Sequence, residues 1–444
     1  MARLLRVAVL ASCVALLAAS CANAETALEA APDQAWALHG QATVVEQGTA
    51  AFSSPYRGAN SLDPAARGRE TADITVYVGV RPWKGAELWV NGEMDQGFGL
   101  SDTLGIAGFP SGEAYKVGKA TPYLKLPRLF LRQTINLEGA AEPVEADLNQ
   151  LRQTRTADRL VITVGKFGVT DVFDASDVAH DPRHDFLNWS LIDAGTFDYA
   201  ADAWGFTYGG TIEAYVGRWT ARLGVFNLSD VPNSEVLGSD FSQFQMIGEV
   251  EHRHTLWGHD GKVAITAFLS RGRMARFEDA VALAQAKGGV PDVAAVRRYQ
   301  GRAGISVHIE QAISDQMTLF ARGGLDDGSK ESYEFSDIDR TLSAGASFKG
   351  VRWGRPNDTL ALAGVVNGIS GAHQRYLAAG GLGILVGDGR LPHPGAESIL
   401  ETYYDLQAVN GVNITLDYQF VNTPAYNRDR GPVSIFALRL HGQF

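Results

Sequence analysis

Apolar and polar residues alternate with a period of two in segments along the whole chain. In residues 74–80 (ITVYVGV) the aliphatic residues fall on alternate positions, and the same pattern recurs in 301–310, 412–420 and 436–444. Successive side chains of a β-strand point to opposite faces, so this spacing puts the apolar residues on one face of each strand. The pattern predicts a chain built from half-buried strands.

Following the alternation along the chain gives about sixteen candidate strands. Their predicted first residues are 36, 71, 86, 128, 159, 204, 219, 243, 262, 298, 316, 340, 358, 399, 411 and 433. The polar faces mix both charge signs with glycines, and the apolar faces carry aromatic residues near the strand ends. A soluble β-sandwich would also alternate, but its polar residues would face bulk water on the outside and its apolar face would be a bulky core. The predicted fold class is all-β, an antiparallel up-and-down transmembrane β-barrel, because only a closed barrel leaves no unpaired strand edge in lipid.

The lengths of the connections support the same architecture. The gap over 47–69 is long, that over 81–85 is short and that over 96–123 is long, and this order largely continues. Short links of turn type lie at 217–218, 314–315 and 410–411. Outer-membrane barrels have long external loops, short periplasmic turns and an even strand count. The connection over 139–157 is long where a periplasmic turn is expected, so it is either an insertion or a miscounted strand.

The first residues indicate export. A basic start, an apolar run over 7–19 and the small-residue pattern at 22–24 predict a cleaved signal peptide over 1–24 and one mature barrel domain over 25–444. A lipoprotein site at Cys21 is the weaker alternative. Both cysteines fall within the signal, so the mature chain has neither disulfides nor a thiol nucleophile. Its compartment is the periplasm, the outer membrane or the medium.

The rest of the chain indicates the bacterial outer membrane. After the signal no apolar run approaches the roughly 18–20 residues of a membrane helix. The last strand ends on Phe444, which resembles the signal by which outer-membrane barrels engage their assembly machinery. We therefore expect contact with outer-membrane lipid and with the barrel-assembly machinery. The net charge of -11, without a block of Lys or Arg, argues against nucleic acid as a partner.

Several short runs distributed over the mature chain carry a more specific signal. They are LHGQAT at 38–43, FSSPY at 52–56, NSL at 60–62, QGFGL at 96–100, GIAGFP at 105–110, GKF at 165–167, DVFD at 171–174, DPRHDFLNW at 181–189 and YNRDRGPV at 426–433. In this order they resemble the carbohydrate-selective porin family (OprB-type). The resemblance implies a sixteen-stranded outer-membrane channel for passive, selective diffusion of mono- and oligosaccharides into the periplasm. The chain departs from the family pattern at the polar stretch 142–158.

Charged residues of the predicted strands are expected to point into the lumen, because Arg or Lys facing lipid costs about 2–4 kcal/mol at mid-bilayer. Strand parity places Arg128 and Arg132 together on one inward face. The same rule turns inward Glu93, Arg222, Glu249, Arg302, Glu310, Arg322, Glu401, Asp417 and Arg439. Sugar hydroxyls need such hydrogen-bonding partners, with aromatic faces for the CH side of the ring. The alternative is a network of cross-strand pairs that fixes the barrel shape without touching substrate.

The third external loop, over 169–203, is expected to fold inward and to narrow the pore, as this loop does in many sixteen-stranded porins. It carries Arg183, Asp185, Asn188 and Trp189, which we predict as constriction or sugar-contacting residues. The alternative is that the loop packs on the inner wall and that its Asp and Asn residues only make turns. Its Asp-rich sequence also suggests a calcium site as a further alternative, although the spacing does not match an EF-hand loop.

Three classes of function remain open from sequence: a sugar-selective channel, a general or anion-selective porin, and an outer-membrane barrel enzyme such as a lipid hydrolase. The chain has no G-x-S-x-G elbow and no recognisable triad. His252 and His254 share one strand face, where a pair at the periplasmic rim is more expected than a metal site. No pattern requires a cofactor or a metal, so we predict a channel and not an enzyme. Both a monomer and a homotrimer are compatible with the sequence.

Overall fold

The computed structural model describes residues 33–444 apart from 66, 115, 116 and 239. The predicted signal peptide, residues 1–24, lies outside the described residues. Sixteen strands form one closed antiparallel barrel: β1 (Trp36–Thr49), β2 (Arg69–Val80), β3 (Ala86–Gly97), β4 (Lys119–Asn136), β7 (Arg159–Phe167), β8 (Thr207–Val216), β9 (Trp219–Asn227), β10 (Phe244–Leu256), β11 (His259–Met274), β12 (Arg298–Ser314), β13 (Met317–Asp326), β14 (Arg340–Gly350), β15 (Arg355–Gly368), β16 (Glu397–Val409), β17 (Val412–Asn422) and β18 (Val433–Gln443). Strands β5 (Ala141–Val144) and β6 (Gln153–Thr156) form a separate two-stranded sheet.

The ring of strands is closed by β1, which pairs with β2 on one side and with β18 on the other. In this register Gln41 lies opposite Thr75 of β2 and Gln443 of β18. Closure gives every barrel strand two neighbours, which is the condition for crossing hydrocarbon without an open edge. The predicted sixteen-stranded antiparallel barrel is confirmed.

Fifteen of the sixteen predicted strand starts lie within three residues of the observed ones. The exception is β4, which begins at Lys119 and not near 128. Two register shifts against β3 interrupt the alternation of β4: a β-bulge at Pro127, where β4 contributes one residue more than β3, and a second between Lys119 and Tyr123, where it contributes two more. The extra residue shifts the alternation, so Lys125 and Arg128 both reach inward partners although they are three positions apart. Alternation with a period of two therefore cannot predict side-chain direction on both sides of such a shift.

The two faces of the wall have opposite chemistry. Outward residues are mostly aliphatic and exposed, as are Leu342 and Leu223, with exposed fractions of 67% and 63%. Tryptophans gather at one end of the barrel: Trp36, Trp83, Trp219, Trp257 and Trp353. His252 and His254 stack beside Trp219 in the same belt, with ring centroids 6.2 Å apart. This distribution is that of a barrel in a bilayer with an aromatic girdle.

The connections alternate in length, as predicted. Eight long loops at one end, the loop end, are L1 (50–68), L2 (98–118), L3 (168–206), L4 (228–243), L5 (275–297), L6 (327–339), L7 (369–396) and L8 (423–432). Three of them carry short α-helices: α1 (Trp189–Ile192) in L3, α2 (Phe277–Lys287) in L5 and α3 (Gly371–Ala378) in L7. No helix within the described residues is long and apolar enough to cross a membrane. At the other end, the turn end, the links are short with one exception.

The exception at the turn end is an insertion and not a miscounted strand. Residues 137–158 contain the β5–β6 hairpin, whose strands pair with each other. The flanking strands β4 and β7 pair directly, with Phe130 opposite Gly165. The barrel ladder therefore continues past the hairpin without interruption.

Gly345 of β14 marks a close approach inside the wall, because it lies under the ring of Phe320. A Cβ atom added there would lie 2.5 Å from that ring and 2.8 Å from the backbone oxygen of Leu362. We expect Gly345→Val to destabilise the barrel by about 1–3 kcal/mol through overpacking, measured as a lower unfolding temperature in detergent. Gly364→Val on the adjacent strand is the matched control, since its nearest neighbour would lie at 3.6 Å. Equal losses in the two variants would contradict this explanation.

Candidate functional site

Loop L3 enters the barrel and packs against the inner wall. Phe186 is buried, and its ring lies 5.8 Å from that of Phe320 on β13 and 5.0 Å from that of Tyr403 on β16. Asn188 begins helix α1, because its side-chain oxygen accepts a hydrogen bond from the amide of Ser190. L3 is therefore a packed segment inside the lumen and not an extended external loop.

Arginines of the wall bind carbonyl oxygens of L3. Arg322 of β13 donates to the carbonyl groups of Ala179 and Leu191, at 2.8 and 2.7 Å. Arg439 of β18 donates to the carbonyl group of Asp185 at 2.8 Å. Arginine carries five N–H donors in a fixed plane, so one side chain can serve several loop carbonyls at once.

Arg302 of β12 binds L3 through a buried ion pair. Its guanidinium donates to Asp198 of L3 at 2.6 Å and to Asp326 of β13 at 2.5 Å, and all three side chains have no exposed surface. Asp198 also accepts hydrogen bonds from the successive amides of residues 333–335 in L6, at 2.7 to 3.1 Å. A single carboxylate thus joins L3, L6 and the wall.

Carboxylates of the wall bind amide groups of L3. Glu401 of β16 accepts hydrogen bonds from the amides of residues 187–188, at 2.5 and 3.0 Å. Glu249 of β10 accepts one from the amide of Asp174 at 2.8 Å. The same inward network contains Arg222, Glu310 and Asp417.

The wall charges have a structural reason to be there. A loop buried inside the barrel takes its backbone N–H and C=O groups away from water, and each then needs another partner. The wall arginines and carboxylates supply those partners. Arg302, Arg322, Arg439 and Glu401 have exposed fractions of at most 1%. The structure places them inward as predicted, but as anchors of L3 with no surface left for a solute, which matches the alternative of a wall network.

The structure buries Asn188 and Trp189, two of the residues of L3 that were predicted to contact sugar. Asn188 has no exposed surface, and Trp189, 2% exposed, stacks on Phe109 of L2 with ring centroids 5.3 Å apart. The indole is enclosed between L2 and L3. Asp185 accepts hydrogen bonds from the amides of residues 180–181 and so closes a turn of L3.

Loop L2 also folds inward, which the sequence reasoning missed. Glu397 of β16 accepts hydrogen bonds from the amides of Ala107 and Gly108, at 3.0 and 2.8 Å. The signal that could have shown this is the apolar run GIAGFP at 105–110, because such a run is costly in a loop that projects into water. Two loops therefore share the lumen.

A second group of inward charges lies between L3 and strands β2–β4, and we call it the polar track. Its members are Asp73, Glu93, Asp95, Glu113, Lys125, Arg128, Asp171 and Arg183. Arg183 of L3 lies 3.3 Å from Asp73 of β2 and 3.5 Å from Glu113 of L2. Burial raises the pKa of Glu113 well above its usual range, an effect that Arg183 opposes.

The cations of the polar track keep part of their surface. Lys125 lies 3.0 Å from Asp95 and has 11% of its side chain exposed. Arg128 forms a two-point pair with Asp171 of L3, at 2.6 and 2.7 Å, and has 16% exposed, as has Arg183. The sequence reasoning missed Lys125 because the bulge at Pro127 hides the parity of its strand.

Aromatic rings border the polar track. Trp204 of L3 is half-buried and donates its indole N–H to the hydroxyl of Tyr123 at 3.1 Å. The ammonium group of Lys125 lies 5.0 Å from the centre of the Trp204 ring, and the guanidinium of Arg128 lies 4.9 Å from that of Phe206. Sequence reasoning placed position 204 at the start of a strand, whereas β8 begins at Thr207 and Trp204 belongs to L3.

Asp193 of L3 is a buried acid near a histidine. One of its carboxylate oxygens lies 3.8 Å from Nδ1 of His180. Burial raises the pKa of Asp193 to about 7, although His180 acts in the opposite direction. The described part of the chain holds no cluster of three or more His, Cys, Asp or Glu side chains placed to bind a metal ion.

A closed sixteen-stranded barrel with an outward aliphatic face and loops anchored inside its lumen defines a class of protein, the outer-membrane porins. A model of the carbohydrate-selective porin, OprB family, matches residues 59–444. The chain belongs to this family. It is a carbohydrate channel of the bacterial outer membrane, and its family and fold are those of a channel and not of an enzyme. The turn end is therefore periplasmic and the loop end extracellular.

Solved structures show the same fold at low sequence identity. The high-pH structure of Pseudomonas putida OprB has a TM-score of 0.67 at 13% identity, with 92% of this chain and 94% of that chain covered. The outer membrane channel DcaP of Acinetobacter baumannii has a TM-score of 0.52 at 10% identity, with 95% and 100% covered. No curated protein matches the chain in sequence.

Removing one anchor should leave buried charges without a partner. Arg302→Ala would isolate the carboxylates of Asp198 and Asp326, so we expect a loss of about 3–5 kcal/mol in unfolding free energy, measured by urea titration in detergent. Arg298→Ala is the control on the same strand, because that arginine pairs with Asp279 at 2.8 Å but is 61% exposed. Exposed pairs contribute about 0–1 kcal/mol. A loss in the control as large as in Arg302→Ala would contradict the anchor role.

Asp193 should make the barrel less stable as the pH rises. Its folded pKa, about 7, lies above the ordinary value of 3.8, so its favourable contribution is present at low pH and is lost between about pH 4 and pH 7. We expect the unfolding temperature of Asp193→Asn to be higher than that of the wild type at pH 8 but not at pH 4. The exposed Asp315→Asn serves as the control. The same trend in both variants, or none in Asp193→Asn, would refute the role of this acid.

Proposed function

We propose that sugars cross the barrel along the polar track, and that Arg183, Lys125 and Arg128 with their carboxylates bind sugar hydroxyls during passage. The observation that supports this is exposure: 11–16% of these three side chains is exposed, against at most 1% for the anchoring arginines. A charged side chain can serve a solute only where part of its surface reaches the lumen. The polar track meets that condition and the anchors do not.

The chemistry of the track suits uncharged mono- and oligosaccharides. Carboxylates accept hydrogen bonds from sugar hydroxyls, and guanidinium and ammonium groups donate to them. The half-buried rings of Trp204 and Phe206 offer apolar faces for the CH side of a sugar ring. Binding of this kind is spread over several weak contacts, which lets the solute leave as well as enter.

The charge pairing of the track disfavours the alternative of an anion-selective porin. Its three cations, Lys125, Arg128 and Arg183, each lie within 4 Å of a carboxylate, and five carboxylates belong to the track. Such pairs present short-range dipoles that can hold a polyol, whereas an anion pore uses rings of cations. We therefore propose a channel with weak ion selectivity and a preference for neutral sugars.

We propose that two partners contact the barrel: lipid at its outer face and the barrel-assembly machinery at its last strand. The outward aliphatic residues contact outer-membrane lipid in this proposal. Phe444 pairs through its backbone with Gly40 of β1, at 3.0 and 3.2 Å, and its ring covers that glycine. We propose that the barrel-assembly machinery engages β18 before this pairing closes the ring.

The test is single-channel conductance of the protein in a planar bilayer. Glucose, a maltose-type oligosaccharide and a neutral polymer of matched size are titrated in turn. We expect saturable block by the sugars and not by the polymer. Arg183→Gln should raise the half-blocking sugar concentration about tenfold, because it removes a charge-assisted hydrogen-bond donor.

Arg253→Gln is the matched control. This arginine is also inward and lies 2.7 Å from Glu251, but it is near the turn end of β10, away from the track. Equal effects in the two variants would contradict the placement of the site. A current indifferent to every sugar would favour a general porin, and a complete absence of conductance would favour the barrel-enzyme class.

A further inference from the structure

Two arginines at the extracellular end of β11 point away from the lumen. Arg271 and Arg273 are exposed and lie on the same face of the strand as Leu269, which is 47% exposed. The residue between the two arginines faces the other way, since a Cβ atom on Gly272 would lie 2.6 Å from the buried ring of Tyr333 in L6. Because successive side chains of a strand point to opposite faces, both arginines extend from the outer surface of the barrel.

The two arginines lie just beyond the apolar band of the outer surface. Trp257, in the turn before β11, belongs to the aromatic belt at the periplasmic end. The outward residues that follow it on the strand include Val263, Ile265, Ala267 and Leu269. A tilted strand needs about 9–11 residues to cross the hydrocarbon, and the stretch 261–270 supplies that length. Arg271 is the next outward residue, at the level of the lipid head groups, where an outward arginine costs much less than at the bilayer centre.

Neither guanidinium has a counter-ion within the chain. Among the residues that the structure describes, no carboxylate lies within 4 Å of Arg271 or Arg273. Arg298 on the adjacent strand differs in this respect, because it pairs with Asp279 of α2 at 2.8 Å. Arg271 and Arg273 are two positions apart on one face, so their Cα atoms lie about 7 Å apart and the two charges repel each other. An anion from outside the chain would neutralise both.

An aromatic residue flanks each arginine on the neighbouring strands. Phe244 of β10 lies directly opposite Arg271, and Tyr299 of β12 lies directly opposite Arg273. Residues in such positions have Cβ atoms about 4.5–5.5 Å apart. Tyr299 is 52% exposed, and tyrosine is a residue of membrane interfaces because its ring is apolar while its hydroxyl can donate a hydrogen bond. We call Arg271, Arg273 and Tyr299 the basic patch.

We propose that the basic patch binds the phosphate group of a lipid in the outer leaflet of the outer membrane. The planar guanidinium of arginine matches the oxygens of a phosphate group, so Arg271 and Arg273 hold the phosphate between them and Tyr299 adds a hydroxyl donor. The acyl chains of the same lipid lie along the apolar face that continues below Leu269. This continuity favours a lipid over a free anion. The inference is independent of the proposed function, since it concerns the outer surface and not the pore.

The test is the affinity of the purified protein in a neutral detergent for lipid A that carries both phosphates, measured by native mass spectrometry. Lipid A without phosphates is the matched probe. A basic residue near an anionic lipid surface strengthens binding about fivefold, so we expect about fivefold weaker binding in Arg271→Gln and about thirtyfold weaker binding when Arg273→Gln is added. The lipid without phosphates should bind the wild type and the double variant equally.

Arg298→Gln is the matched control, because it removes an arginine that is also exposed but whose charge is already paired. An unchanged affinity in the double variant would overturn the proposal, as would an equal loss in Arg298→Gln, which would report a general effect of charge. Displacement of the lipid by an equal concentration of inorganic phosphate would also overturn it, because the patch would then prefer a free anion. An unchanged unfolding temperature and conductance show that the double variant is folded.

Discussion

The need of a buried loop for hydrogen-bond partners governs the interior of this barrel. L3 carries its backbone away from water, and an unpaired backbone group in that position costs several times what a paired one gains. Arg322 and Arg439 serve its carbonyl groups, and Glu401 and Glu249 serve its amides. The charged lumen of this porin is therefore first a scaffold that holds L3.

The position of L3 divides the wall into two parts. Where L3 packs tightly, as around Arg302, the charges are sealed inside ion pairs. Between L3 and strands β2–β4, Arg183, Lys125 and Arg128 stay partly exposed beside aromatic rings. One loop thus separates the sealed wall charges from those that keep part of their surface.

The inserted hairpin shows how such a channel can acquire a local feature without a change of barrel. Because β4 and β7 still pair directly, the insertion lies outside the ladder of strands. Its tip turns back to the lumen wall and meets Arg132, a residue that already pointed inward. The insertion therefore leaves the membrane-spanning ladder of strands unchanged.

The sequence by itself determined the strands, the closure and the direction of most charges. Side-chain direction alternates with each residue of a strand, so a period of two is a local property that can be read from neighbours, and it failed in β4, where the register shifts. Contacts between distant segments decided the rest. Arg322 is an anchor because it meets Asp174, 148 positions away, and Trp189 is enclosed while Trp204 of the same loop is not. Sequence reasoning assigned Trp189 to the site and Trp204 to a strand, because the packing of L2 against L3 that buries Trp189 is a contact between distant segments.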